Sequence, residues 1–143
     1  MIRKAERQDL PVLGQLGAEL WPGHTAGERA EEFAEIMEEG GAFFLAFSDD
    51  EAVGFAQCQL RRDYVEGTST SPVGYLEGIY VTPSCRRRGI ARELLAACEG
   101  WAREQGCREF ASDCELGNME SLSLHLALGF REANRIICFA KKL

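Results

Sequence analysis

Metal-binding and cross-linking patterns are missing from this chain. It holds only 2 histidines, neither at ligand spacing from a cysteine, and its 6 cysteines (Cys58, Cys85, Cys98, Cys107, Cys114, Cys138) form no CxxC pair. No metal site is expected, and no disulfide framework, because the opening residues MIRKAERQDLP lack the apolar stretch of a secretion signal. Buried free thiols are the expected state. No apolar run approaches a membrane span, so a soluble, cytoplasmic protein without a membrane partner is expected. Basic charge is also short: 16 Lys and Arg against 23 Asp and Glu give a net charge of −7. Nucleic-acid binders show the reverse balance, so nucleic acid is not an expected partner. There is no GxxxxGK[ST], no GxGxxG after a strand and no kinase motif set, which excludes three common nucleotide sites.

What remains reads as one domain over residues 1–143, with 45% hydrophobic and 27% charged residues. Ile2 to Ala5 is a short candidate strand. Asp9 is placed to cap a helix opening at Leu10-Pro11, with Leu13, Leu16 and Leu20 as its buried stripe, and Trp21-Pro22-Gly23-His24 stops it. Thr25 and Glu28 have capping-box spacing and start a second helix whose inner face is Ala30, Phe33, Ala34 and Met37. Residues 42–48 and 52–62 form a hairpin, with Gly54 weakening the second strand or marking a bulge. Residues 64–72 (YVEGTSTSP) read as an exposed loop, and 73–81 as the central strand, on which Glu77 shares a face with Tyr75, Ile79 and Val81.

A long amphipathic helix follows from Ile90 to Gly106, then a strand at 109–112, a helix at 118–128 ended by Gly129, and two closing strands at 130–132 and 135–141. This order predicts a mixed α/β (α+β) sheet between helices.

The junction between the central strand and the long helix carries the chemistry. A basic loop with one glycine turns directly into a helix, so free backbone N–H groups and the positive end of the helix dipole meet at one point. Phosphates bind at such points. Gly89 permits close backbone approach, consecutive amides from Arg87 to Arg92 can wrap a pyrophosphate, and Arg86, Arg87 and Arg88 add attraction. A solvated helix cap is the structural alternative.

The pattern V-x-P-x-x-R-x-x-G-I-A, made by Val81, Pro83, Arg86, Gly89, Ile90 and Ala91, resembles the acetyl-CoA loop of the GNAT family of N-acetyltransferases. The resemblance implies the GNAT fold, with a mostly antiparallel sheet flanked by helices on both faces, and acetyl-CoA as co-substrate. It also implies that Ile79, Tyr80 and Val81 pair with the pantetheine arm, that Arg86 to Arg92 hold the phosphates, and that the thioester lies near Glu77-Gly78.

Further patches narrow the resemblance: Leu20-Trp21-Pro22-Gly23-His24, Arg62-Asp63-Tyr64-Val65, Leu76-Glu77-Gly78-Ile79, Cys107 to Asp113, Ser71-Pro72-Val73 and Leu128-Gly129-Phe130. Together they are similar to the chromosomal-type aminoglycoside 6′-N-acetyltransferases, which implies a homodimer and a small cationic amine substrate. The implied substrate contacts are Trp21, His24, Tyr64, Glu77, Asp113 and Asn118. Carboxylates pair with ammonium groups and aromatic faces attract cations, so these residue types suit a polycation.

Each residue also has a structural reading: a helix-end core residue for Trp21, a turn cap for His24 and Asp113, a loop anchor for Tyr64. Glu77 is harder to place structurally, because a carboxylate on an apolar strand face is costly. Two positions depart from the pattern. Asn134 stands where subfamily members can carry an acidic contact, with Glu132 two residues earlier. His125 stands where many GNAT enzymes have a tyrosine acid, and serves either as acid or as a packed helix residue.

The expected reaction is direct acetyl transfer, with Asp113 as favoured base and Glu77 binding substrate or relaying a proton. Neither Cys85 nor Cys114, the nearest thiols, has an activated-nucleophile setting, so no acetyl-enzyme is expected. Rival readings are a GNAT enzyme acting on a protein lysine, polyamine or metabolite amine, and a non-catalytic acyl-CoA sensor.

Overall fold

Strands β2 (Ala42–Ser48) and β3 (Glu51–Arg61) form the hairpin at the centre of a computed structural model that describes residues 1–143. The run AFFLAFS is apolar on both faces because both faces are covered. Phe43 and Leu45 pack against Leu13, Leu16 and Phe33 on one side; Ala42, Phe44 and Ala46 pack against Leu94, Leu95 and Cys98 on the other. The first side is roofed by α1 (Leu10–Leu20) and α2 (Ala26–Glu38), the second by α3 (Ile90–Glu104). Phe33, Phe43 and Phe55 are completely buried, each contributing about 1.5–3 kcal/mol of transfer free energy.

The sheet has five strands in the order β1-β2-β3-β4-β5, with β1 (Ile2–Lys4), β4 (Val73–Val81) and β5 (Phe110–Ser112) completing it. Neighbours are antiparallel except β4 and β5, which are parallel. The mostly antiparallel sheet between helices agrees with the expected GNAT architecture. Helix α4 (Met119–Ala127) follows β5.

Small residues set the helix spacing. A Cβ on Gly14 would lie 2.2 Å from the Ala26 carbonyl oxygen, and one on Gly17 would lie 2.6 Å from the Phe33 ring, so the α1 backbone meets the α2 backbone at Gly14 and the Phe33 side chain at Gly17. The Thr25–Glu28 capping box forms as expected: Thr25 Oγ1 accepts from the Glu28 N–H at 3.1 Å, and Glu28 accepts from the Thr25 N–H at 2.9 Å. Gly54 lies beside a bulge in the β2–β3 pairing, where its missing side chain admits the Tyr80 carbonyl.

Four expectations are corrected. Asp9 does not cap α1: its carboxylate accepts from both terminal nitrogens of Arg3 at 2.8 Å and from the Glu6 N–H at 2.8 Å, a charge-assisted fork that outcompetes a cap bond. The strands at 130–132 and 135–141 are not formed. Beyond the Phe130 N–H, which bonds to the His125 carbonyl, no backbone–backbone bond holds the tail, and Ile136, Ile137 and Phe139 are exposed. A strand needs a partner edge, and nothing in the single chain pairs with this one. Two thiols, Cys114 and Cys138, are exposed rather than buried, and all six are free.

The fourth concerns β4. Gln57 pairs with Gly78 and Cys58 with Leu76, so Glu77 is the extra residue of a β-bulge. The bulge reverses the alternation: Leu76, Ile79 and Val81 all pack on the α3 side, whereas Tyr75 and Tyr80 do not. Glu77 therefore does not share a face with Ile79 and Val81.

The Arg3–Asp9 fork ties β1 to the start of α1. Its hydrogen bonds hold the Asp9 carboxyl below its ordinary value of 3.8, so the pair's stability is fully present above that pH and is lost as pH falls through the lowered folded value. Asp9→Ala is expected to cost about 1.5–3 kcal/mol at neutral pH, and the gap to wild type should shrink in urea melts as pH falls below the ordinary carboxyl value of 3.8. A gap that does not change with pH would contradict this.

Candidate active site

Strands β4 and β5 stay paired only through Gly74–Phe110, Tyr75–Ala111 and Leu76–Ser112. The next residues on the two strands are Glu77 and Asp113, one on each side of the point where the strands part. Beyond it, Gly78 to Val81 are paired to β3 alone, and the other edge of β4 is open. An extended chain can add itself to such an edge.

The far end of this opening is the turn into α3. Arg87 (φ 63°) and Gly89 (φ 80°) are both left-handed, curling the backbone around Arg88. No side chain caps α3, and the N–H groups of Arg87 to Arg92 have no partner within the protein. That is a concave row of donors at the positive end of a 15-residue helix, suited to a phosphate or pyrophosphate. The guanidinium groups divide their labour. Arg86 donates from Nε to the Val81 carbonyl at 2.8 Å and lies over Tyr80, locking the turn to β4, and Arg92 donates to the Ala127 carbonyl at 2.8 Å. Arg87 and Arg88 remain without an ion pair. Tyr80 hydrogen-bonds Glu19 on the α1 side, so burial and that carboxylate raise its pKa; its carbonyl faces Gly54 on β3, which leaves the backbone groups of Ile79 and Val81 to the open edge.

At the near end the charged groups are dense. Arg61, the last residue of β3, forks onto Glu77, with Nη2 at 2.9 and 3.1 Å from the two carboxylate oxygens. Its Cζ lies 3.5 Å from the centroid of the Tyr75 ring. The Tyr75 hydroxyl donates to the Asp113 carboxylate. Burial raises the Tyr75 pKa, and Asp113 raises it further. Burial works against the charge on Arg61, but Glu77 outweighs it and the pKa is raised.

Two hollows meet at the Arg61–Glu77 pair. One, of about 280 Å³, is lined by Trp21, Arg29, Glu32, Gln57 and Glu77. The other, of about 1230 Å³, contains Arg61, Tyr75, Ser112, Asp113 and His125 in its wall, together with the loop at 65–68 and the tail. His125 is tied on both ring nitrogens, Nδ1 to the Ser121 carbonyl at 2.7 Å and Nε2 to Ser112 Oγ at 2.7 Å.

Residues 5–130 match the family described as "Acetyltransferase (GNAT) family". The chain belongs to the GNAT family. It is 43% identical over 142 residues to an aminoglycoside N(6′)-acetyltransferase type 1 of Salmonella typhimurium, covering 99% of this chain and 98% of that protein. It is 39% identical over 142 residues to a protein of the same name from Acinetobacter haemolyticus, again covering 99% and 98%. Among solved structures it is similar to the aminoglycoside N-acetyltransferase AAC(6′)-Iy in complex with CoA, with TM-score 0.95 and 42% identity over 100% of this chain and 95% of that one. A structure of AAC(6′)-Iy with the bisubstrate analogue CoA-S-monomethyl-acetylneamine matches with TM-score 0.93 and 42% identity, covering 100% and 98%.

In this GNAT chain the expected acceptor residues are not all gathered together. Trp21 packs edge-on against Phe33 and Phe55, at 6.3 and 6.1 Å between centroids, and abuts Gly78, where a Cβ would come within 2.3 Å of its ring. It is both core margin and wall of the smaller hollow. Glu77 and Asp113 flank the strand opening. His24 is exposed beside Glu28 at 3.5 Å, and Tyr64 is 78% exposed with its hydroxyl on Glu66. Asn118 caps α4, accepting the Ser121 N–H at 3.0 Å. These three line neither hollow. Asn134 donates to Glu66 at 2.9 Å, joining the tail to the 62–72 loop.

Arg61, Gln57 and the Tyr75–Asp113 bond belong to the site without being marked by any motif. Glu77's unexplained carboxylate on a strand was the available signal for a basic partner; nothing local distinguished Arg61 from Arg62.

Proposed function

We propose that this chain transfers the acetyl group of acetyl-CoA to the 6′-amino group of aminoglycoside antibiotics, inactivating them by modification. One observation carries the reading: Glu77 and Asp113 stand at the parting of β4 and β5, with an unpartnered row of amides at the other end of the same opening. Its support from relatives is the full-length likeness to aminoglycoside N(6′)-acetyltransferases and to a structure holding a CoA–neamine conjugate.

On this reading the amides of Arg87 to Arg92, with Arg87 and Arg88, hold the pyrophosphate, and the open edge Ile79–Val81 pairs with the pantetheine arm. Gly89 supplies the left-handed turn that faces the amides toward the phosphates. The acetyl group then lies near Glu77-Gly78. Trp21, Glu77 and Asp113 receive the acceptor, and His24, Tyr64 and Asn118 serve at the rim.

The acceptor amine arrives protonated and must lose its proton before it can attack. Asp113 takes that proton, directly or through one water, and Tyr75 fixes the carboxylate in place. The amine nitrogen then forms a bond to the thioester carbonyl carbon, whose oxygen is stabilised by a backbone N–H of Ile79 or Val81. The C–S bond breaks, its electrons leave on the CoA sulfur, and the second proton of the amine nitrogen passes to that thiolate as the amide forms. His125, with both nitrogens engaged, orients Ser112 instead of acting as the acid. No cysteine intervenes, so transfer is direct. Holding amine and thioester in line is worth up to about 7–11 kcal/mol, which makes positioning the main source of acceleration.

No helix is long and apolar enough to cross a membrane, and the net charge of −7 draws cationic acceptors and not nucleic acid, which fits a cytoplasmic enzyme. The unpaired tail, with Ile136, Ile137 and Phe139 exposed, supports a homodimer in which tail and partner complete each other's surface. Sedimentation velocity at micromolar concentration should give twice the chain mass of 15.9 kDa, and a monomer would refute the dimer.

The activity is tested by following CoA and acetylated product by mass across aminoglycosides with and without a 6′-amine, polyamines and a lysine peptide. Turnover confined to the 6′-amines is expected. Turnover of the peptide or polyamine alone, or CoA binding without any turnover, would replace this reading. Asp113→Ala should lower kcat about 100-fold or more with acetyl-CoA affinity little changed, and full activity in that variant would remove Asp113 as base.

A further inference from the structure

The acidic end of the opening already contains a cation. The Arg61 guanidinium is forked onto Glu77 at 2.9 and 3.1 Å and lies against the face of Tyr75 at 3.5 Å, and the hydroxyl of that same ring is bonded to Asp113. Two carboxylates and an aromatic face are the groups that would receive an ammonium ion. Glu77 has no other hydrogen-bond partner in the protein, and Arg61 has no other acceptor. The Arg61 side chain is 43% exposed, so it can swing into solvent without unpacking the core.

We infer that Arg61 is an internal substitute for the acceptor's ammonium group, occupying the cation box until an acceptor displaces it from Glu77, and that it thereby sets selectivity for polycations over monoamines. The inference rests on the acceptor reading above. A monoamine that takes Glu77 merely exchanges one cation for another and gains little. A polycation displaces Arg61 at one amine while another meets Glu66 in the larger hollow, a carboxylate bonded only to Tyr64 and Asn134 and to no cation, whereas Glu32 and Glu132 are already paired to Arg29 and Arg135. Arg61 is thus specificity-determining and takes no part in the bond-making step. The device also keeps Glu77 compensated while the site is empty of substrate.

The test measures KM and kcat for kanamycin A, a polyamine with a 6′-amine, and the competitive inhibition constant of 6-amino-6-deoxyglucose, a monoamine with the same reacting group. Both are measured in wild type, Arg61→Gln and Arg61→Lys. In Arg61→Gln the monoamine should bind about three- to ten-fold more tightly, kanamycin A should gain less, and the change should fall in KM and not kcat. Arg61→Lys, which keeps the charge but loses the fork and the planar stack, should lie between. Weaker binding of both probes in Arg61→Gln, or a fall in kcat that Arg61→Lys restores, would show that Arg61 positions Glu77 and would overturn the inference. An unchanged ratio with active wild type overturns it alone; wild type inactive on kanamycin A overturns the acceptor reading and this inference with it.

Discussion

The parting of β4 from β5 after the Leu76–Ser112 rung is the constraint on which the rest of the molecule depends. While the strands are paired, β4 is an interior strand; once they part, it offers an open edge, and the first residues past the rung are Glu77 and Asp113. The bulge at Glu77 works with this separation. It turns Ile79 and Val81 onto α3 and leaves Glu77 on the side of Trp21 and Gln57. On the proposed reading, a donor enters along one edge and an acceptor from one face, and they meet at one residue. Helix α3 then has to begin where it does, since its uncapped first turn closes the far end of the same opening.

Charge is distributed to suit this geometry. The end at the α3 turn, the proposed donor end, keeps two unpaired arginines and a row of free amides inside an acidic chain; the end at Glu77 and Asp113, the proposed acceptor end, pairs carboxylates with groups that fix them. Tyr75 holds Asp113, Arg61 holds Glu77, and Arg29 bonds the Trp21 carbonyl at 2.8 Å while lying over its ring. Partly buried carboxylates without partners would be costly, so these contacts keep the site compatible with a stable fold. They also place side chains before any ligand arrives, which lowers the ordering cost of binding.

Much of this was legible in the residues. The α3 junction could be read because its signals are local: a proline, a glycine at a left-handed position and a 3.6-residue apolar stripe. The α2 capping box and the AFFLAFS strand were local in the same way. What could not be read was set by cross-chain pairing. The bulge at Glu77 exists only because Gln57 and Cys58 take the residues on either side of it, and no window along β4 contains that information. Asp9 resembles a cap until Arg3 is brought to it. The tail reads as strand from its side chains, yet a strand is a relation between two edges, and the single chain offers the tail none. Of the residues expected to meet the acceptor, Trp21, Glu77 and Asp113 lie on elements next to the opening, whereas His24, Tyr64 and Asn118 lie on turns whose direction the sequence does not specify.

The central claim, that donor binding runs along the open β4 edge into the α3 turn, is tested most directly by residue-resolved amide hydrogen exchange with and without CoA. Exchange should slow at Arg87 to Arg92 and at Ile79 and Val81, whose N–H groups face the open edge, and remain unchanged in β1 and β5. Saturation with CoA, verified by calorimetry, that leaves these amides unprotected and protects the tail or the 62–72 loop instead would contradict the account.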